Sequence, residues 1–143
     1  MKKIIIINGP NLNLLGKREP EIYGKETLQD IMAELGECFP SLDIFHFQSN
    51  SEGAIIDLLH EYGFAANTGI VLNAGAYTHT SLAIADAISA IETPVVEVHL
   101  SNIFAREEIR HKSLIAPVCA GSVSGFGKMS YYLAIKAFEQ WHK

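Results

Sequence analysis

Two side chains two residues apart carry the sharpest chemical suggestion in the sequence. In the run Val95, Val96, Glu97, Val98, His99 and Leu100, a strand would place Glu97 and His99 on one face. An ionised glutamate in a buried strand needs a partner, because desolvating a lone charge is costly. An imidazole two residues on is the natural one. The carboxylate would accept from one ring nitrogen, fix the tautomer and favour imidazolium, leaving the other nitrogen as a general acid. The same spacing also suits a structural ion pair sealed in the core.

A second signal lies in the run 16–24, which holds Lys17, Arg18, Glu19 and Tyr23. A tyrosine acts as a base near neutral pH only if its pKa falls by roughly three units from about 10. Arg18, on the same loop, would supply the positive potential; the plainer reading is an exposed charged loop with a packing tyrosine. Further polar groups cluster where strands should end. Asn8, Gly9, Pro10 and Asn11 follow the first apolar run, Asn73, Gly75, Tyr77 and His79 the third, Ser101 and Asn102 the fourth, and Gly121, Ser122, Gly125 and Gly127 the fifth. Arg106, Glu107, Glu108 and Arg110 read most simply as a surface charge ladder, although Arg110 would equally clamp a carboxylate or hydroxyl. His79 and His99 lack metal-ligand spacing, so no metal is expected. Cys38 and Cys119 read as small core fillers.

These residues need a frame that brings strand ends together. Apolar, β-branched runs at 3–8, 43–48, 69–73, 94–100 and 116–120 alternate with helical patterns at 28–39, 52–62, 81–91 and 128–142, and with a short turn at 105–110. Thr27 and Ser51 stand where N-caps belong, and Pro40 and Gly63 where helices stop. Strand–helix alternation with apolar strands implies a parallel sheet covered on both faces. The expected fold is α/β, a flavodoxin-like three-layer sandwich with five parallel strands in the order 2-1-3-4-5. Residues 1–143 read as one catalytic domain. The connection 9–26 is far longer than an ordinary βα loop and reads as a mobile lid.

Composition narrows the classes further. Eleven Lys and Arg against sixteen Asp and Glu give a net charge of −5, which disfavours nucleic acid and anionic membranes as partners. Two cysteines make neither a disulfide framework nor a zinc pattern. No apolar run approaches the roughly 18 residues of a membrane span, so a cytoplasmic location is expected. The helix at 81–91 is apolar on nearly all sides save Asp86, which predicts that a second copy covers its outer face; the plainer reading is a solvent-facing Asp86 on a modestly apolar helix.

Four segments together resemble the type II 3-dehydroquinate dehydratase family. They are residues 8–24 (NGPNLNLLGKREPEIYG), 73–81 (NAGAYTHTS), 97–113 (EVHLSNIFAREEIRHKS) and 121–134 (GSVSGFGKMSYYLA), and the likeness spans essentially the whole chain. The resemblance implies a cofactor-free lyase that removes water from 3-dehydroquinate in anti fashion, through an enolate, to give 3-dehydroshikimate. That step serves the shikimate pathway and aromatic amino-acid biosynthesis, or quinate breakdown.

The resemblance also implies roles. Tyr23 is the base at the carbon beside the ketone, Arg18 supports the tyrosinate, and Asn11 helps hold the enolate through a water. His99 is the acid for the departing hydroxyl and Glu97 orients it. Asn73, His79, Leu100, Ser101 and Arg110 bind substrate, while Asp86 reaches a neighbouring subunit's site in a dodecamer built from trimers. Ala74 stands where the family commonly has proline, and Met129 and Ser130 replace a glycine-containing stretch. The alternative is a module of the same architecture: a flavodoxin binding FMN, or a receiver domain. A flavodoxin would want a Ser/Thr-rich phosphate loop after the first strand. A receiver would want acidic residues where Asn8 and Asn73 stand.

Overall fold

The isoleucines at positions 4 to 7 are each 0% exposed, which demands cover on both faces of the strand that carries them. The computed structural model, which describes residues 1–141 apart from the side chains of Ile22 and Tyr23, provides that cover. Strand β1 (Lys3–Asn8) lies inside a five-stranded sheet with β2 (Asp43–Gln48), β3 (Thr68–Asn73), β4 (Val95–His99) and β5 (Gly121–Ser124). The order is β2-β1-β3-β4-β5, and every pairing is parallel. Alternate residues feed opposite layers. Ile4 and Ile6 pack with helices α2 (Leu28–Cys38) and α5 (Met129–Glu139); Ile5 and Ile7 pack with α3 (Glu52–Tyr62) and α4 (Leu82–Ala90). The result is the expected flavodoxin-like sandwich.

Local signals explain where the helices begin. Thr27 Oγ1 accepts from the Asp30 N–H and the Asp30 carboxylate accepts from the Thr27 N–H, both at 3.1 Å, a reciprocal cap worth about 1 kcal/mol. Ser51 and Ser81 cap α3 and α4 through the N–H groups of Ala54 and Ile84. At the sheet's carboxyl edge, the Gly9 N–H donates to the Asn73 carbonyl at 2.7 Å. A Cβ at Gly9 would stand 2.6 Å from the Ala74 carbonyl oxygen, so only glycine allows this approach.

Several expectations need correction. The fifth strand is not 116–120: Ala116–Val118 is a 3-10 turn, and β5 is Gly121–Ser124. Pro117 has no N–H for a ladder, and Ser113 Oγ caps the turn by accepting from the Ala116 N–H at 3.0 Å. The stretch expected as one turn at 105–110 is two 3-10 turns, Ile103–Ala105 and Glu108–His111, broken at Arg106 and Glu107. The last helix ends at Glu139, and position 142 lies outside the described residues. Cys38 is exposed rather than a core filler; Cys119 is half-buried against the α3/α4 layer. Elsewhere the boundaries move by a residue at an end.

The long connection 9–26 carries structure of its own. Leu12–Leu14 forms a 3-10 turn, and Leu12 and Leu15 are buried in the α2/α5 layer. Gly16 then turns at φ +90° and Gly24 at φ +83° on either side of a short helix α1 (Pro20–Tyr23). Beyond it, Lys128 Nζ bridges Glu26 and Glu34 at 2.9 Å each, tying the end of the connection to α2.

Candidate active site

The carboxyl ends of β1, β3 and β4 open into one cleft, where side chains leaving neighbouring strands converge. Its cavity volume is about 110 Å³. One water needs roughly 10–15 Å³ on the same measure, so the cleft suits a small, polar molecule. Among the expected residues, Asn11, Arg18, Asn73, His79, His99, Leu100, Ser101 and Arg110 all line it. Glu97 sits behind His99. Asp86 is exposed on α4 and is not part of the lining. The Tyr23 side chain, the expected base, lies outside the described residues.

Strand β4 delivers the Glu97–His99 pair as its alternation predicts. His99 Nε2 donates to Glu97 Oε2 at 2.7 Å, and both residues are buried. Nδ1 is therefore the ring nitrogen that the carboxylate leaves free for the cleft. Glu97 is held from two further directions: Ser113 Oγ donates to Oε2 at 2.6 Å and Ser122 Oγ to Oε1 at 3.0 Å. Burial alone would push the Glu97 carboxyl up. The hydrogen bonds from His99, Ser113 and Ser122, with the charge on His99, outweigh it and hold the carboxyl below the ordinary glutamate range. Burial and the Glu97 charge push the nearby Cys119 thiol up to about 12, which keeps it unreactive.

His79 comes in from the segment after β3. Its Nδ1 donates to the Lys112 carbonyl at 2.8 Å, which turns Nε2 toward other partners. The His79 and His99 rings stack with centroids 6.2 Å apart. Asn73 is anchored at both ends of its amide. Its Nδ2 donates to the Tyr131 hydroxyl at 3.0 Å, and its Oδ1 accepts from the Gly75 N–H at 3.3 Å. The Tyr131 hydroxyl in turn donates to Asn8 Oδ1, so one buried phenol ties the ends of β1 and β3 together. Burial raises the Tyr131 pKa far above the ordinary tyrosine value, against a smaller lowering by Asn73, so Tyr131 stays neutral and is no base.

Three guanidinium groups give the cleft its charge. Arg18, Arg106 and Arg110 line it, and none of the described lining residues is acidic. Arg110 Nε is braced by Glu107 Oε2 at 3.2 Å. Glu19 Oε2 lies 3.7 Å from Arg18 and 3.9 Å from Arg106, linking the 9–26 connection to the segment after β4. Asn11 adopts a left-handed conformation at φ 69°, with its N–H donated to Asn50 Oδ1 at 3.0 Å. Such a cleft offers cations to a carboxylate or developing oxyanion, a histidine backed by a carboxylate, and amide groups that fix orientation. Among the described residues, no three His, Cys, Asp or Glu side chains gather as metal ligands.

Sequence reasoning misses three contributors. In sequence Arg106 belongs to a surface ladder, but the break between the two 3-10 turns leaves its side chain only 15% exposed in the cleft. Ser113 reaches Glu97 from a distant segment, and Tyr131 looks in sequence like any helix aromatic; Ser122, expected in the cleft, is not among its lining residues and donates to Glu97 instead. The register Glu97↔Ser122 gives that serine its partner.

Comparison with known proteins agrees with this fold. A family model described as dehydroquinase class II matches residues 2–139. A 3-dehydroquinate dehydratase of Pelodictyon phaeoclathratiforme is 58% identical, over 94% of this chain and 89% of that protein. The type II dehydroquinase of Butyrivibrio crossotus has a crystal structure that superposes with a TM-score of 0.92 at 45% identity, covering 96% of this chain and 97% of that one. The type II dehydroquinase of Propionibacterium acnes gives 0.94 at 39% identity, covering 99% and 98%.

Proposed function

The chain belongs to the class II dehydroquinase family, and from that premise we propose how its residues dehydrate 3-dehydroquinate to 3-dehydroshikimate, a step of the shikimate pathway. The observation that carries the assignment of roles is the buried Glu97–His99 pair opening into a cleft lined by three arginines. Neither a flavodoxin nor a receiver domain is favoured, since the family is that of a hydro-lyase.

Elimination through an enolate needs a base, an acid and a cradle for the oxyanion. Tyr23, as tyrosinate, removes the proton beside the ketone. Arg18 lowers the cost of that anion, because a cation nearby favours the charged phenol. Asn11 steadies the enolate oxygen through a water. His99 then gives the proton on Nδ1 to the departing hydroxyl, which leaves as water. Glu97 keeps Nε2–H directed away from the cleft throughout. Arg110, His79, Asn73 and the Leu100–Ser101 segment bind the substrate carboxylate and hydroxyls. Arg106, at the same wall, adds positive charge to the cleft.

Two further parts of the proposal concern motion and assembly. The panel between Gly16 and Gly24 closes over bound substrate as a lid, bringing Tyr23 into place. The outer face of α4, where Leu82 is 67% exposed and Asp86 lies beside it, packs on a second subunit within trimers that build a dodecamer. Asp86 then supports the neighbouring site. No helix among the described residues is long and apolar enough to cross a membrane, and a cytoplasmic location is proposed.

The test is to add 3-dehydroquinate and follow the ultraviolet absorbance of the conjugated enone product. Tyr23→Phe should lose about 10²–10⁴-fold or more in kcat. His99→Ala should lose a comparable factor. Near-normal turnover in the Tyr23→Phe protein would overturn its role as the base.

A further inference from the structure

We propose that Ser113 and Ser122 are positioning residues for the dehydration, acting through Glu97 on His99; the proposal rests on the reading of His99 as the acid. The Glu97 carboxylate is caught between three donors from three parts of the chain. His99 and Ser113 share Oε2 at 2.7 and 2.6 Å, while Ser122 alone serves Oε1 at 3.0 Å. A carboxylate held at both oxygens cannot rotate about its last bond without breaking a contact. It must therefore present Oε2 to the imidazole.

Each serine is itself aimed. Ser113 Oγ accepts from the Ala116 N–H at 3.0 Å at the start of a 3-10 turn, so its own proton is left to point at Glu97. Ser122 stands directly across from Glu97 in the β4–β5 register, and its side chain leaves the sheet on the same side. The surroundings offer no substitute. The titratable groups facing Glu97 are His99 on its own strand and the Cys119 thiol ahead of β5, with His79 stacked beyond His99. Leu72 is its neighbour on β3, and the inward face of α4 in this layer is apolar.

The donors do two things for the acid step. They favour the ionised carboxylate, which His99 needs if it is to hold a proton for the leaving hydroxyl. They also fix the imidazole plane, because His99 takes its orientation from Oε2. A misaligned imidazole still allows substrate to bind, since neither serine lines the cleft. The signature of a positioning role is a lower kcat at unchanged KM.

Infrared difference spectra of the intact protein, referenced to Glu97→Gln, follow the protonated carboxyl band of Glu97 as the pH falls. Ser122→Ala should move its midpoint up by about half a unit and Ser113→Ala by about one unit. In steady state, kcat should drop roughly threefold and tenfold respectively, with KM unchanged. Ser122→Thr, which restores the hydroxyl, should recover both midpoint and kcat. Ser113→Ala also loses a turn cap, so the exposed Ser122 is the decisive position. An unmoved midpoint in Ser122→Ala would overturn the anchoring, and a raised midpoint with wild-type kcat would overturn the positioning role. Wild-type kcat in His99→Ala would instead remove the reading of His99 as the acid, and the proposal with it, whatever the serine variants do.

Discussion

Replacing Tyr131 by phenylalanine removes a single oxygen from the middle of the molecule. The ring is 0% exposed, and the substitution leaves its shape unchanged. The lost hydroxyl donates to Asn8 Oδ1 and accepts from Asn73 Nδ2, so two buried amides each forfeit a partner. An unsatisfied buried polar group costs about 1–3 kcal/mol. Set against the relief of burying one hydroxyl fewer, a net loss of about 2–4 kcal/mol follows. For 143 residues the unfolding entropy converts each kcal/mol to about 3 °C, so Tm should fall by about 6–12 °C. Function should suffer in a particular way. Asn73 lines the cleft, and without the phenol the Gly75 N–H is the hydrogen bond left to its side-chain amide among the described residues, so KM should rise more than kcat falls. Calorimetry must be run at one protein concentration, because subunit association shifts Tm by mass action. Tyr132→Phe, whose ring packs on Phe39 with centroids 5.0 Å apart, is the control. A Tyr131→Phe protein melting within 2 °C of wild type, in the range of that control, would refute the claim that this phenol ties β1 to β3.

Three other outcomes are expected. The Glu97 carboxyl is depressed in the folded protein, so its contribution to stability is full above the unfolded value of about 4.3 and is lost as the pH falls through the lower folded value. Urea midpoints between pH 6 and pH 3 should therefore fall more steeply in wild type than in Glu97→Gln, and parallel slopes would contradict the depression. Limited proteolysis should cut near Lys17 or Arg18 in the free protein, and a substrate analogue should protect the site; equal cleavage with and without ligand would rule out a closing panel. Light scattering should report a large homo-oligomer, and Asp86→Ala should bind substrate more weakly. A fully active monomer at assay concentration would end the assembly proposal.

The elements that sequence reads well here are those whose signal is local. Four isoleucines in a row, Thr27 with Asp30, and Ser51 before an apolar stripe each specify their element without reference to the rest of the chain. Glu97 and His99 are legible for the same reason, since period-two alternation puts them on one face. The failures depend on distance. Residues 116–120 are as apolar as a strand, and the missing N–H of Pro117 against the polar but pairable 121–124 decides the matter. Arg106 enters the cleft because a helical spacing is interrupted after Ala105, a backbone event that periodicity does not encode. Ser113, Ser122 and Tyr131 acquire meaning only once the register and the packing of α5 bring them beside residues far away in sequence.

The close approach of Gly9 to Ala74 has a consequence for anyone redesigning substrate choice. With a Cβ excluded at 2.6 Å and the Gly9 N–H joined to the Asn73 carbonyl, the seam between β1 and β3, next to the cleft residues Pro10, Asn73 and Gly75, has no slack. Enlarging the site from below would part the sheet before it admitted a bulkier ring. Libraries aimed at larger or less polar acids should leave positions 8, 9, 73 and 74 fixed. Variation belongs instead at Leu15, Leu100 and Ile103, side chains on the walls whose trimming opens volume without touching the seam.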